Sequence, residues 1–369
     1  MRNSKLKIGL FLIGGLIASA NATSLQEAME QLTGEAAQKY VAPIVSGIGA
    51  DLNAGWYHKA PPAKKFRFSL EGGVIVMGSL LDGGTKSFNA TQSFRLDSTQ
   101  ASNVIGNKVD TTSGTFAQQQ GAKAIRKALV DSLRSQDFRM HLSGPTVIGS
   151  MDSTVKVKFD GRTFTNVGNS GQSVTLDTTV IATEATGLLE DFTSYPLPLV
   201  APQVTLGTVY GTNLTLRWLP TMPAGDIGDF SFFGFGVQHN PAVWLGMSLP
   251  VDVCVGYFHQ ELSVGNLFDA STNAYGIDVS KQLGWRLLNI TPYAGFQFES
   301  ATMSFHYDFK QYDQLSGKTT TIPVNFDVDG DNSTRLTVGL SIHVLILNLN
   351  ADYNLAKYPS MSAGLMVGI

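Results

Sequence analysis

The feature that most constrains this chain is a two-residue alternation of apolar with polar or small side chains, sustained over stretches of a dozen residues. From 44 to 58 the even positions Ile44, Ser46, Ile48, Ala50, Leu52, Ala54 and Trp56 alternate with Val45, Gly47, Gly49, Asp51, Asn53 and Gly55. Phe66, Phe68, Leu70, Val74, Val76 and Leu80 then oppose Arg67, Ser69, Glu71 and Gly73. The same grammar returns in Leu214, Leu216 and Trp218, in Val251, Val253, Val255 and Tyr257, and in Tyr275, Ile277 and Val279. It is clearest at Leu345, Leu347, Leu349, Ala351 and Tyr353 and again at Met361, Ala363, Leu365, Val367 and Ile369. Period-two alternation is the pattern of a strand with two unlike faces. Globular strands run to about five or six residues, whereas a tilted strand crossing a bilayer needs roughly nine to eleven.

In hydrocarbon every backbone donor and acceptor must be paired inside the protein, so spanning strands close into a barrel, apolar outside and polar within. The expected fold class is all-β: a closed antiparallel transmembrane β-barrel of about twelve strands, within a range of roughly 10 to 14, with a short N-terminal helix and one helical insertion. The strands are expected near 44–57, 66–80, 147–160, 173–183, 203–219, 229–239, 249–262, 271–286, 289–302, 334–344, 345–356 and 360–369. Trp56, Tyr57, Tyr210, Trp218, Tyr257, Tyr275, Trp285, Tyr293 and Tyr353 are the candidate aromatic girdles. A soluble β-sandwich or a secreted barrel is the competing architecture, and it would call for shorter strands.

Composition agrees with an unusual surface. Charged residues make up 15% of the 369 positions, the net charge is −3, and there are 38 glycines. Soluble domains carry about a quarter charged residues. The lack of a basic excess argues against nucleic acid as a partner. The single cysteine excludes an internal disulfide framework and any multi-thiolate metal site.

Arg2, Lys5 and Lys7 precede an apolar run from Ile8 to Ile17 and then Ala18, Ala20 and Ala22, the layout of a secretory signal peptide over 1–22. The run is too short for a membrane anchor. A helical segment is expected over 23–43 and a barrel over 44–369, with an insertion at 82–145. Within that insertion Ala122, Ile125, Leu129 and Leu133 share one face of an amphipathic helix between Thr115 and Gln136. Strand parity puts the insertion on the periplasmic side or in the lumen, and the loops near 219–229, 263–271 and 303–333 outside.

Several short blocks resemble a known family: Asn53-Ala54-Gly55-Trp56-Tyr57, Pro145-Thr146-Val147-Ile148-Gly149, Arg217-Trp218-Leu219-Pro220, Gly236-Val237-Gln238-His239-Asn240 and Leu249-Pro250-Val251-Asp252. The family comprises secreted Gram-negative envelope proteins with no assigned function. The resemblance implies an outer-membrane barrel distantly similar to the transporters of long-chain fatty acids and other hydrophobic compounds, and it supplies no catalytic residue. Ile369 departs from the terminal aromatic that such barrels usually present to the insertion machinery.

The six histidines show no zinc spacing, and Asp327, Asp329 and Asp331 fail the calcium-loop pattern because Asn332 and Val338 replace the required Gly and Glu. No metal, cofactor or catalytic residue is expected, and the chain is not expected to be an enzyme. The candidate lumen-lining residues are Arg67, Glu71, Arg217, Asp252, Asp278, Glu299 and Asp352, with Arg217 and Asp252 a candidate pair. Two functions fit: passive uptake or transfer of a small solute, hydrophobic or otherwise, or a structural or surface-interaction barrel with a closed lumen. The expected partners are outer-membrane lipid, the barrel-insertion machinery and, for the first function, the solute.

Overall fold

The computed structural model describes residue 32 and residues 34–369 apart from 97, 107–108, 165–173, 177, 224–228, 246–248, 266, 286 and 314–317. The expected signal segment lies outside the described residues. The chain opens with α1 (Gly34–Asn53) and β1 (Phe66–Ser79). An insertion follows, made of β2 (Ser87–Phe94), α2 (Ser98–Ile105), α3 (Phe116–Arg134), β3 (Phe138–Pro145), β4 (Thr154–Phe159), β5 (Arg162–Phe164), β6 (Val174–Leu176) and β7 (Thr179–Thr186). Then come β8 (Leu197–Val209), β9 (Thr212–Pro223), β10 (Asp229–His239), α4 (Ala242–Leu245), β11 (Asp252–Val264), β12 (Phe268–Ser280), β13 (Leu283–Trp285), β14 (Leu288–Asp313) and β15 (Lys318–Asp329). The chain closes with β16 (Thr334–Val344), β17 (Leu347–Leu355) and β18 (Ser360–Gly368).

Ten strands form a closed antiparallel barrel in the order β1, β8, β9, β10, β11, β12, β14, β16, β17, β18, with β18 pairing back to β1. Its geometry can be read from the register. The partners of Ala301 run through Thr272, Gln260, Gly234, Arg217, Gln203, Gly73, Met366, Asn348 and His343 to Asn289. One circuit thus returns to β14 twelve residues from its start. Ten strands with that shear tilt by about 40° and place their Cα atoms roughly 10 Å from the axis. Such a bore accepts one α-helix of ordinary width, about 10–12 Å with side chains.

That helix is α1. Fourteen of its residues are buried, on every face. Small residues let it fit: a Cβ on Gly47 would collide with Leu81, and one on Gly49 with Ala301 of the barrel wall. The strand expected over 44–57, and with it the barrel start at 44, is therefore corrected. Ile44, Ile48, Leu52 and Trp56 recur every fourth residue, which satisfies a period of two and an α-helical face alike. The N-terminal helix does not stop at Pro43, which lies inside α1.

Outside, the wall is apolar. Leu70, Val74, Val76, Leu214, Leu216, Val255, Ile277, Phe296, Val338, Leu340, Leu349, Leu365 and Val367 are all exposed. Inside lie Glu71, Gln203, Arg217, Gln260, Asp278, Gln297, Arg335, Asn350 and Asp352, all buried. This inverts the plan of a soluble protein. No helix among the described residues is long and apolar enough to cross a membrane.

Three more expectations need correction. The strands near 147–160 and 173–183 belong to the insertion, whose main sheet runs β2-β3-β4-β7, because alternation reports a two-faced sheet and not which sheet. The segment 203–219 holds parts of two strands, β8 and β9, turned at Tyr210 and Gly211, which both have positive φ. The insertion occupies 80–196 and emerges at the barrel end where β1 stops and β8 starts, which is the end that also carries the β14–β15 hairpin. Parity places these two on opposite sides because it counts β8 and β9 as the single strand 203–219. Within the insertion, α3 starts with a capping box between Thr115 and Gln118, and packs Leu129 and Leu133 with Ala101 and Ile105 of α2 in a small core of its own.

Candidate functional site

The lumen gathers most of the buried polar chemistry, and α1 determines its arrangement. The helix ends at Asn53, and Gly55 leaves it in the left-handed region at φ 67°. Any Cβ there would also come within 2.7 Å of Ile75 Cγ2, so the position needs glycine twice over. The turn swings Trp56 against the wall. Its indole donates to Leu52 O at 3.0 Å and stacks on Phe258, with ring centroids 5.4 Å apart. Gly234 and Gly236 on the inner face of β10 make room for it, since a Cβ at either would lie within 3.3 Å of the ring.

Arg217, wholly buried, meets the end of this helix. Its Nη2 donates to Ala54 O at 2.8 Å and its Nη1 to Leu52 O at 3.4 Å and Gln260 Oε1 at 3.1 Å. Nε donates to Gln203 Oε1 at 2.9 Å, and the guanidinium lies 3.9 Å over the Trp56 ring. Gln203 is its cross-strand partner, while Gln260 is one strand further on, reached across Gly234. A cation at the carbonyl end of a helix meets both the free carbonyls and the negative end of the dipole. Asp252, the expected partner of Arg217, sits instead at the rim beside Asn240, with Arg67 nearby.

The segment after the helix is tied to wall carboxylates. His58 Nε2 and Lys59 Nζ lie 3.1 and 2.8 Å from Glu71 Oε2. Asp278 accepts from Gln238 at 3.3 Å and Gln297 at 3.2 Å. Arg335 donates to Gln297 and lies 3.2 Å from Glu299, an ion pair off the hydrogen-bond axis. Asp352 accepts from Tyr293 at 3.0 Å, Ser362 at 2.7 Å and Asn354 at 2.9 Å.

Of the seven lumen candidates, Glu71, Arg217, Asp278, Glu299 and Asp352 lie buried inside, and Arg67 and Asp252 stand at the rim. Trp56, Tyr57 and Tyr293, expected in the aromatic girdles, are buried in the lumen and pack with Phe258. Arg335 was missed, although it shares inward parity with Thr337 on β16. Gln203, Gln238 and Gln297 carry no signal that separates a ligand of a buried charge from any polar lumen residue. Among the described residues no three His, Cys, Asp or Glu side chains are grouped to hold a metal ion.

The chain belongs to a family of unknown function (DUF6588), whose model matches residues 1–369. No curated protein matches it. Among solved structures, LpxR from Salmonella typhimurium is similar at 10% identity and a TM-score of 0.27, over 81% of this chain and 99% of that one. The FrpB iron transporter from Neisseria meningitidis (F3-3 variant) is similar at 10% identity and a TM-score of 0.17, over 77% of this chain and 53% of that one.

Proposed function

We propose that this family member is an outer-membrane barrel whose lumen is kept closed by its own N-terminal helix, and that its function is exercised by its outer surfaces, the 80–196 insertion foremost. The observation that carries this reading is α1 filling a bore barely wider than a helix, with Arg217 and Trp56 capping its end. The apolar outer wall supports a bilayer as its solvent. The connections 210–211 and 345–346 are tight and share one barrel end, whereas the insertion and the β14–β15 hairpin share the other. Short turns face the periplasm in such barrels, so the insertion faces outward.

Passage of a small hydrophobic solute is the second reading, and it requires α1 to move. One feature favours it: Asp51 Oδ1 and Asn53 Oδ1 on the helix and Gln203 Nε2 and Gln260 Nε2 on the wall are buried without a hydrogen-bond partner, so the contact between helix and wall is not fully satisfied. Planar-bilayer recording separates the two. The native protein is expected to show no steady conductance, and a variant lacking residues 34–62 to conduct. Steady conductance or solute uptake by a protein with Asp51→Cys and Ser79→Cys cross-linked would overturn the closed-lumen reading, because the side chains at 51 and 79 bridge helix and wall at 3.2 Å.

A further inference from the structure

The outer wall carries a cleft of about 460 Å³ near the insertion end, on strands β9 to β14. One register row crosses it: Trp218, Phe233, Glu261, Ser271 and Thr302 are successive cross-strand partners. Because the strands tilt by about 40°, a row perpendicular to them climbs as it goes round the barrel. The row therefore starts with two exposed aromatic rings continuous with the apolar belt and ends in carboxylate and hydroxyl groups above it. Asp269, in the next row toward the rim, adds a second carboxylate, and no Lys or Arg lines the cleft. Glu261 and Asp269 are 64% and 58% exposed; Glu261 lies 3.4 Å from His259 Nε2, and Asp269 lies 3.7 Å from His306 Nε2 and accepts from Ser263, so each keeps a solvent-facing side beside these neighbours.

An aromatic floor in the apolar belt beneath two carboxylates and several hydroxyls suits an amphiphile with a cationic head. We propose that this cleft binds a membrane lipid bearing an ammonium head group, with its acyl chains on Trp218 and Phe233 and its amine between Glu261 and Asp269. This rests on the reading of the barrel as membrane-spanning. Exposed carboxylates supply a modest attraction, worth about a two- to fivefold preference for the amine-bearing lipid.

The test uses the full-length protein in vesicles of mixed phosphatidylethanolamine and phosphatidylglycerol, with bromine on the acyl chains of one lipid at a time. The Trp218 signal is the difference between the native protein and Trp218→Phe. Stronger quenching by the brominated ethanolamine lipid, lost in the E261Q/D269N variant, is the expected result. Equal quenching by both lipids, or a preference that survives the double variant, would overturn the site. Quenching of Trp244 and Trp285, which are exposed at the opposite end of the barrel, reports that each variant is folded in the bilayer. No quenching of any tryptophan by either lipid would instead overturn the membrane reading, and the site with it.

Discussion

Arg217 faces no carboxylate among its hydrogen-bond partners and relies on carbonyls, two glutamines and an indole face. Its removal leaves buried acceptors unpaired, and hydrogen bonds to a charged group are worth about 1.5–3 kcal/mol each. Arg217→Ala is therefore expected to destabilise the folded barrel by roughly 3 kcal/mol, read as a lower temperature for conversion to the unfolded band on a semi-native gel. Arg217→Lys should recover part of the loss, since an ammonium can donate to the carbonyls but cannot span Gln203 and Gln260 with a planar fork. Gly55→Ala tests the neighbouring turn. A left-handed alanine costs about 1–2 kcal/mol before the collision with Ile75 is counted, so the same gel assay should show a clear drop; an unchanged midpoint would mean the turn does not anchor Trp56.

At the scale of elements, α1 and α3 are helices of similar length with opposite supports. α1 is held by the barrel around its C-terminal half and by β2 and β7 of the insertion along its N-terminal half, where Lys39 donates to Asn89 O and Tyr40 to Thr186 O, whereas α3 relies on its own capping box and a thin core shared with α2. Thr115→Ala should cost about 1 kcal/mol, seen as faster hydrogen exchange in α3 with no change in the β-strands. Why α3 was legible in the sequence and α1 was not follows from this contrast. A helix with one wet face shows its period, as Ala122, Ile125, Leu129 and Leu133 do. A helix enclosed on all sides need not show one, and when its apolar residues fall four apart, as Ile44, Ile48 and Leu52 do, it imitates a strand. The barrel strands from β10 onward were legible for the reason α3 was: lipid on one side and polar lumen on the other force strict alternation. The lumen charges followed from parity, but their partners did not, because parity fixes the direction of a side chain and not what fills the bore opposite it.

At the scale of the whole molecule, the insertion and the β14–β15 hairpin share one barrel end, so their exposure must agree. Protease added to intact cells is expected to cut in both 123–134 and near Lys318, or in neither; cutting one alone would contradict the shared end. The register circuit has a further bearing on how the molecule comes into being. Every barrel pair joins successive barrel strands, with the insertion, β13 and β15 as excursions between them, except the seam between β18 and β1. A helix that fits the bore this tightly, followed by a turn pinned to both β1 and β9, cannot be threaded into a finished cylinder without first undoing those ties. The wall must instead be rolled up around it, like a stave cask raised about its own core, with the last seam drawn shut over a cargo already in place. The earliest part of this fold to be synthesised is thus the part that the final step of assembly encloses.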